Sequence, residues 1–278
     1  MNNIAQQLKL ATKQLSNSSD SAYLDAEVLL CYVLDKQRAY LRTWPERELN
    51  AKQLKQFQQL TKKRYKGIPI AYLTGSREFW SRDFFVNETV LIPRADTELL
   101  IELSLALIQQ QSLALLDLGT GSGIIGITLA AECPAIDVTA TDFSKAALAV
   151  AQQNAQNLQV TNVTFKHSDW FTNIPQKPYQ LIISNPPYIA EDDLHLQQGD
   201  LRFEPITALS APQSGLAAIR QIIEQSRDFL SKGGYLLIEH GYQQQAAVQA
   251  IFEEYAYQQV IGHCDLGGQP RVTTGCWL

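Results

Sequence analysis

The sequence predicts an α/β fold in which a seven-stranded, mostly parallel sheet carries helices on both faces and follows a small helical domain. Three observations support this prediction. Apolar residues recur at helical spacing through the first third of the chain, strand-like and helical segments alternate from about Leu99 onward, and a glycine-rich turn follows the first of those strands. Such alternation is typical of parallel sheets, which bind ligands at the carboxyl ends of their strands where the strand order reverses.

Length, charge and cysteine content narrow the class of protein. The 278 residues are enough for one large α/β domain and a small accessory domain. A net charge of -5 argues against a dedicated nucleic-acid binder, which usually carries a basic surplus. The four cysteines show neither Cys-x-x-Cys spacing nor a histidine at metal-ligand spacing, so no metal site or disulfide framework is predicted. Without a signal-peptide pattern or a run of roughly 20 apolar residues, we expect a soluble, cytoplasmic protein.

The first third of the chain predicts three helices. The first carries apolar residues at helical spacing between Ile4 and Leu15, and the second follows a cap at Asp20 or Ser21. The third runs from about Ala51 to Tyr65. The basic residues at its end are expected to be solvated. They are Lys62, Lys63, Arg64 and Lys66.

The pattern changes near Gly67. Residues 79–90 are aromatic and alternating, which predicts a β-hairpin instead of a helix. We therefore predict an N-terminal helical domain at residues 1–74, a hairpin linker at 75–92 and the main α/β domain at 93–278.

The main domain contains seven predicted strands. They span residues 113–118, 136–141, 163–166, 181–184, 235–239, 258–263 and 271–277. Ser144 is predicted to cap the helix that follows the second strand. The pair Gly233-Gly234 is predicted to lie just before the fifth strand.

A glycine-rich turn at residues 117–123 follows the first strand of this domain. Glycine lets the backbone turn tightly and approach a ligand, and the next helix begins with free N–H groups. The residues predicted to contact a cofactor here are Gly119, Thr120, Gly121, Ser122 and Gly123. Two cofactors fit this turn. Residues 121–126 match the dinucleotide pattern G-x-G-x-x-G, whereas an acidic residue two positions before three alternating glycines is typical of S-adenosylmethionine enzymes.

Residues after the second and third strands fit an adenosine group. Asp142 ends the second strand, where a carboxylate can accept hydrogen bonds from both ribose hydroxyls. Asp169 can accept a hydrogen bond from an adenine amino group, and Trp170 can pack on the adenine ring. Each has a simpler interpretation, because Asp142 also fits a residue that merely ends a strand and Trp170 fits a core aromatic.

The fourth strand is followed by Asn185-Pro186-Pro187-Tyr188. Proline has a fixed φ and no N–H, so this loop is stiff and exposes carbonyl oxygens. The side-chain oxygen of Asn185 and the carbonyl of Pro186 can accept both hydrogens of an NH2 group, while Tyr188 offers a flat surface. A planar nitrogen is a weak nucleophile, and aligning it with a sulfonium methyl group requires no general base. The loop therefore predicts methylation of a neutral, planar nitrogen.

Taken together, these motifs resemble the release-factor glutamine methyltransferases, the PrmC/HemK family. The resemblance covers essentially the whole chain and includes residues 92–98, 117–123, 168–171, 184–189 and 197–205. It implies a Rossmann-like class I methyltransferase domain that uses S-adenosyl-L-methionine, releases S-adenosyl-L-homocysteine and needs no metal. By this resemblance, the glycine turn, Asp142, Trp170 and Asn185 would line the cofactor, and Asn185, Pro186, Pro187 and Tyr188 would hold the substrate.

The resemblance also implies the substrate. Members of this family methylate the side-chain amide nitrogen (N5) of the glutamine in the Gly-Gly-Gln motif of class 1 peptide chain release factors, and their helical domain helps to bind the release factor. Neither direct nucleic-acid binding nor a membrane is expected. The alternative is a nucleic-acid amino methyltransferase of the adenine-N6 type, because such enzymes use a similar loop. The acidic total charge and the small, not strongly basic helical domain argue against that alternative.

Overall fold

The computed structural model describes residues 2–109 and 112–278 of the chain. These residues form two compact units. The first contains the chain up to Ser76 together with Gln198–Phe203, and the second contains Arg77–Gln197 and Glu204–Leu278. Within the described ranges, no helix is long and apolar enough to cross a membrane.

The first unit is helical and has its own apolar core. Its helices are α1 (Ile4–Leu15), α2 (Ala22–Leu34), α3 (Arg38–Thr43), α4 (Ala51–Tyr65) and α5 (Ile70–Thr74). The core includes Leu15, Leu29 and Phe57. The predicted α4 is confirmed at both ends, and a capping box between Asn50 and Gln53 fixes its start. α3 and α5 were not predicted, because helices of six and five residues are too short to show a clear period.

Arg64 shows that one expectation about the end of α4 is wrong. The neighbouring lysines are exposed, but only 13% of the Arg64 side chain is accessible to solvent. Its Nε lies 2.6 Å from Asp25 Oδ2, and its Nη1 lies 3.3 Å from Asp200 Oδ1. These pairs connect Gln198–Phe203 with the helices of the first unit. Arg64 is therefore buried by its ion pairs with acidic residues that are distant in sequence, although the run of basic residues around it predicts a solvated helix end.

The second unit contains the strands and the remaining helices. Its strands are β1 (Ser76–Phe79, which begins at the last residue of the first unit), β2 (Arg82–Phe85), β3 (Ala114–Leu118), β4 (Asp137–Asp142), β5 (Val163–His167), β6 (Tyr179–Ser184), β7 (Ile189–Ala190), β8 (Ser210–Ala211), β9 (Leu230–Glu239), β10 (Gln258–Cys264) and β11 (Pro270–Trp277). Its α-helices are α6 (Glu98–Ile108), α7 (Ile124–Glu132), α8 (Lys145–Asn157), α9 (Ile206–Leu209), α10 (Ala217–Ser226) and α11 (Gln245–Glu254).

Seven of these strands form one sheet, as predicted. Their order is β10-β11-β9-β6-β3-β4-β5, and β11 runs in the direction opposite to that of the other six strands. The chain leaves β3 toward β4 and β5 and later returns to the other side of β3 as β6. The order therefore reverses between β3 and β6, where the general rule for parallel α/β sheets places a ligand crevice.

Helices cover both faces of this sheet. Successive residues of a strand point to opposite faces, and Leu115 and Leu116 of β3 are both fully buried. Leu115 packs in an apolar cluster that includes α6 and α7, and Leu116 packs in a second cluster that includes α10 and α11. The predicted placement of helices on both faces is confirmed.

Two strand predictions differ from the structure. β9 begins at Leu230, so Gly233 and Gly234 lie inside the strand and not before it. Gly233 has a φ of +81°, and the pairing of β9 with β6 shifts register in this region, as in a β-bulge. The hairpin consists of β1 and β2 and so ends at Phe85, earlier than the aromatic pattern predicts.

Candidate active site

A cavity of about 510 Å³ lies at the carboxyl ends of β3, β4 and β6. This volume is within the range of about 300–1,000 Å³ that is typical of small-molecule sites. Most of the predicted site residues line it. They are Gly119, Thr120, Gly121, Ser122, Asp142, Asp169, Trp170, Asn185 and Pro187. Among the described residues, Gly123, Pro186 and Tyr188 are predicted site residues that do not line this cavity.

The glycines of the turn are needed for different structural reasons. Gly119, Gly121 and Gly123 all have positive φ values, of +71°, +56° and +88°. A Cβ atom on Gly121 would meet no atom within 4 Å, so this position is open to the cavity. A Cβ atom on Gly123 would lie 2.4 Å from Ile127 Cδ1, inside the packing of α7. Gly121 therefore leaves the cavity open at this point, whereas Gly123 permits the turn into the helix.

Asp117, in the strand that leads into the turn, fixes the turn through two hydrogen bonds. It is fully buried, and its Oδ2 accepts hydrogen bonds from Thr120 Oγ1 at 2.6 Å and from the Gly126 amide at 3.0 Å. Burial raises the pKa of this carboxyl to about 6, although the two hydrogen bonds act in the opposite direction. The acidic residue of the sequence motif thus orders the glycine turn.

Asp142 connects the end of β4 with the same turn. Its Oδ2 accepts a hydrogen bond from the Gly121 amide at 2.9 Å, and its Oδ1 accepts one from the Ser144 amide at 2.8 Å. Burial raises the pKa of Asp142 despite these bonds. Each carboxylate oxygen retains a further lone pair, so the residue can still accept hydrogen bonds from a diol in the cavity.

Aromatic side chains line another part of the cavity. Trp170 lies beside the glycine turn, since a Cβ atom on Gly119 would be 3.6 Å from its Cζ3. Phe143, which was not predicted, also lines the cavity although 67% of its surface is exposed to solvent. An apolar residue directly after the acidic end of β4 was the available signal. The two rings offer flat apolar surfaces for a heteroaromatic group, and the exposed Asp169 carboxylate is an acceptor near Trp170.

The amide of Asn185 has a defined orientation. Its Nδ2 donates a hydrogen bond to Thr97 Oγ1 at 3.2 Å. In the described part of the chain, no donor reaches Asn185 Oδ1, which lies at the cavity and is free to accept a hydrogen bond from a ligand. The side chain therefore has an unoccupied acceptor atom beside the cavity, and its role toward a substrate stays a prediction.

Two further residues of the loop, Pro186 and Tyr188, do not line the cavity, although the sequence predicts that they hold the substrate. Pro186 is buried, and Tyr188 packs against the apolar cluster of α10 and α11. The Tyr188 hydroxyl lies 3.5 Å from Glu239 Oε1, and its carbonyl accepts a hydrogen bond from Gln244 Nε2 at 2.9 Å. A Cβ atom on Gly215 would lie 1.9 Å from that carbonyl oxygen, so only glycine fits there. Tyr188 thus anchors the loop to the sheet.

A polar cluster that was not predicted lies behind Asn185. It consists of Asp96, Thr97, Glu239 and Arg271, with Arg271 Nη2 2.9 Å from Asp96 Oδ2. Glu239 ends β9 and is only 1% exposed. Its burial raises its pKa to about 7, and Asp96 acts in the same direction, whereas Thr97, Arg271 and Tyr188 lower it. A glutamate at the carboxyl end of a predicted strand was the only sequence signal.

Two segments that are distant in sequence meet beside the cavity. Arg94 lines the cavity, and its Nη2 lies 2.5 Å from Oε1 of the buried Glu204. Pro205 and Ala208 continue the same wall. No group of three or more His, Cys, Asp or Glu residues within 2–109 and 112–278 is arranged to hold a metal ion.

Comparisons with known proteins agree with this geometry. Residues 6–75 match the PrmC N-terminal domain, and residues 95–200 match the Methyltransferase small domain. A methyltransferase from Pyrococcus furiosus is 14% identical with a TM-score of 0.53, covering 71% of this chain and 90% of its own. The hMettl16 catalytic domain, solved with a MAT2A 3'UTR hairpin, is 14% identical with a TM-score of 0.58, covering 90% and 91%. These two structures establish the Rossmann-like methyltransferase fold of the second unit and nothing about the substrate.

Curated relatives establish the family. The release factor glutamine methyltransferase of Shewanella oneidensis is 48% identical over 275 residues, which are 99% of this chain and 96% of the relative. That of Escherichia coli K12 is 47% identical over 268 residues, or 96% of each chain. With this similarity over nearly the full length of both chains, the protein belongs to the release factor glutamine methyltransferase family.

Proposed function

We propose that this chain transfers a methyl group from S-adenosyl-L-methionine to the side-chain amide nitrogen of the glutamine in the Gly-Gly-Gln motif of class 1 peptide chain release factors. The observation that carries the proposal is the free Oδ1 of Asn185 at the end of β6, beside the cavity of the glycine turn. The names of the curated relatives support the same substrate class.

The residues of the cavity fit the methyl donor. Asp142 has lone pairs for two ribose hydroxyls, and Trp170 and Phe143 provide flat surfaces for adenine. The open backbone at Gly121 leaves room for the methionine portion. Asp169 is the acceptor assigned to the adenine amino group. When bound, S-adenosyl-L-methionine supplies a methyl group on a positively charged sulfur.

The loop after β6 then positions the amide. Asn185 Oδ1 and the carbonyl oxygen of Pro186 accept hydrogen bonds from the two N–H groups of the substrate amide. These two bonds orient the nitrogen toward the methyl carbon. The nitrogen would form a bond to that carbon as the carbon–sulfur bond breaks, and the electron pair of the broken bond would remain on the sulfur of S-adenosyl-L-homocysteine. The two acceptors stabilise the positive charge on nitrogen, whose extra proton then passes to water. Tyr188 contributes by holding the loop through its contacts with Glu239 and Gln244.

We further assign the helical domain, residues 1–74, to recognition of the release factor, with 75–92 as the linker and 93–278 as the catalytic domain. The match of residues 6–75 to the PrmC N-terminal domain supports this assignment. The reaction would take place in the cytoplasm, where release factors act on the ribosome.

The test is a transfer assay with a mass-spectrometric readout. The full chain is incubated with labelled S-adenosyl-L-methionine, a purified release factor and, separately, nucleic acid. A matched release factor with Glu in place of the motif glutamine lacks the amide and serves as the control. We expect one added methyl group on the motif glutamine and none on the control. Label found only in nucleic acid, or on another residue, would contradict the proposed function.

A further inference from the structure

Glu239 is a buried carboxylate that the proposed chemistry does not use. It lies at the carboxyl end of β9, next to β6, and 1% of its surface is exposed. In the described residues its Oε2 has no hydrogen-bond partner, and its Oε1 lies 3.5 Å from the Tyr188 hydroxyl. The Thr97 hydroxyl also interacts with this carboxyl. A group of this kind is costly to bury and needs a reason.

Asn185 gives that reason, because its amide has two orientations. Rotation by half a turn exchanges Oδ1 and Nδ2 at nearly the same shape. Only the orientation with Oδ1 at the cavity offers an acceptor to an N–H group of the substrate. The opposite orientation would place two donors against each other. The reaction therefore depends on a feature outside the cavity that distinguishes the two ends of this amide.

We infer that Glu239 and Thr97 form a positioning relay that keeps Oδ1 of Asn185 directed toward the substrate. An ionised carboxylate only accepts hydrogen bonds, so the Thr97 hydroxyl donates its single hydrogen to Glu239. The lone pairs of that hydroxyl are then available to Asn185 Nδ2, which lies 3.2 Å away. The relay rests on the proposed function, since it specifies how Asn185 becomes an acceptor.

The charges around Glu239 make this relay sensitive to pH. The charged and titratable groups that act on Glu239 are the ion pair of Asp96 with Arg271 and the hydroxyl of Tyr188, and Arg94 in turn acts on that tyrosine. The pKa of Glu239, about 7, means that its charge changes near neutral pH. Once protonated, Glu239 can donate to Thr97, and the threonine hydrogen is then free to point at Asn185. That arrangement no longer favours the productive orientation of the amide.

The first experiment removes the middle of the relay. For Thr97→Val we expect kcat for methyl transfer to fall about 10- to 100-fold, while the KM for the release factor and the Kd of S-adenosyl-L-methionine change by less than about twofold. Thr97→Ser keeps a hydroxyl and should restore most of the rate. Thr128→Val is the matched control, because Thr128 is equally buried but its hydroxyl has no partner in the described residues. Wild-type kcat in Thr97→Val, or an equal loss in Thr97→Ser, would overturn the relay.

The second experiment uses Glu239→Gln and a pH profile. In the wild-type protein kcat should rise as the pH increases through about 7, because the carboxylate becomes ionised. Glu239→Gln should have a lower kcat without this rise. A variant that retains both the wild-type rate and the rise would contradict the inference. This comparison also decides the matter if Thr97→Val does not fold, as judged by its circular dichroism.

A readout that is independent of activity separates the relay from the proposed function. The side-chain NH2 of Asn185, assigned by its loss in Asn185→Ala, should exchange slowly with water in the NMR spectrum of the full chain. Thr97→Val should make this exchange fast, and Thr128→Val should not. An unprotected NH2 in the wild type would overturn the relay. Protection in a protein that methylates no release factor would support the relay and contradict only the proposed function.

Discussion

At the scale of single residues, Asn185 presents the acceptor on which the proposed chemistry depends. Its Nδ2 is occupied by Thr97, so its Oδ1 is the atom that faces the cavity. In the proposed reaction the second acceptor is a backbone carbonyl, that of Pro186, which a side-chain substitution does not remove. The contribution of Asn185 can therefore be measured separately from that of the loop backbone.

We expect Asn185→Ala to lower kcat about 100- to 1,000-fold, the usual effect of removing one polar group that stabilises developing charge. The Kd of S-adenosyl-L-methionine should change little, because Asn185 is only one of many residues that line the cavity. Single-turnover rates and a binding titration measure the two quantities. Asn157→Ala, at the exposed end of α8, is the control and should retain the wild-type rate. Undiminished turnover in Asn185→Ala would refute the assigned role.

Asp142 is expected to act on binding and not on the chemical step. In Asp142→Asn one oxygen becomes an NH2 group, which opposes the amide of Gly121 or of Ser144 and removes acceptors for the ribose. We predict that the Kd of S-adenosyl-L-methionine rises about 10- to 100-fold, as for the loss of a hydrogen bond to a charged group. At saturating donor, kcat should approach the wild-type value.

Calorimetric titration checks this prediction, with Asp137→Asn at the opposite end of β4 as the control. Asp137 is exposed and pairs with Lys177, so its replacement should leave donor binding unchanged. Equal affinities for Asp142→Asn and the wild type would remove Asp142 from the proposed donor site.

At the scale of structural elements, the turn between β3 and α7 illustrates how one motif combines two requirements. Gly121 and Gly123 both adopt left-handed backbone conformations. An alanine at either position is strained, at a cost of about 1–2 kcal/mol. Their surroundings differ, because position 121 opens to the cavity and position 123 faces Ile127.

Gly121→Ala should therefore lower the free energy of unfolding by only about 1–2 kcal/mol and weaken donor binding, since its methyl group enters the cavity. Gly123→Ala should lower the free energy of unfolding by about 2–4 kcal/mol, because a contact of 2.4 Å with Ile127 is added to the backbone strain. Denaturant unfolding and donor titrations of both variants test the contrast. The opposite ranking in stability would show that the two glycines have been assigned wrongly.

At the scale of the whole molecule, the features that depend on local sequence patterns could be predicted, whereas contacts between residues distant in sequence could not. The glycine turn and the Asn185 loop were predictable, because each lies directly after a buried strand in a fold whose strand ends converge. The partners of Asn185 were not predictable, because Thr97 and Glu239 are far apart in the sequence and meet only when β9 pairs with β6. The start of β9 was missed because glycine pairs usually break strands, whereas here one forms a bulge.

The burial of Glu239 among residues that are distant in sequence also makes the stability of the whole chain depend on pH. Burial raises the pKa of Glu239 to about 7 in the folded protein, above its unfolded value of 4.5. The folded state therefore binds this proton more tightly than the unfolded state does. Its contribution to stability is fully present below pH 4.5 and is lost as the pH rises through about 7.

We predict that Glu239→Gln gains stability relative to the wild type as the pH rises from about 5 to about 8, on the order of 2–3 kcal/mol across that range. The comparison uses the difference between the two proteins because other buried groups respond to pH as well. Burial lowers the pKa of His240, for example, so its contribution is lost as the pH falls, and Asp117 contributes with the same sign as Glu239. These contributions are common to both proteins and cancel in the difference. Free energies of unfolding from denaturant titrations at several pH values measure it. A difference that is independent of pH would mean that Glu239 ionises in the folded protein as it does in the unfolded chain, and the relay behind Asn185 would then lose its pH dependence as well.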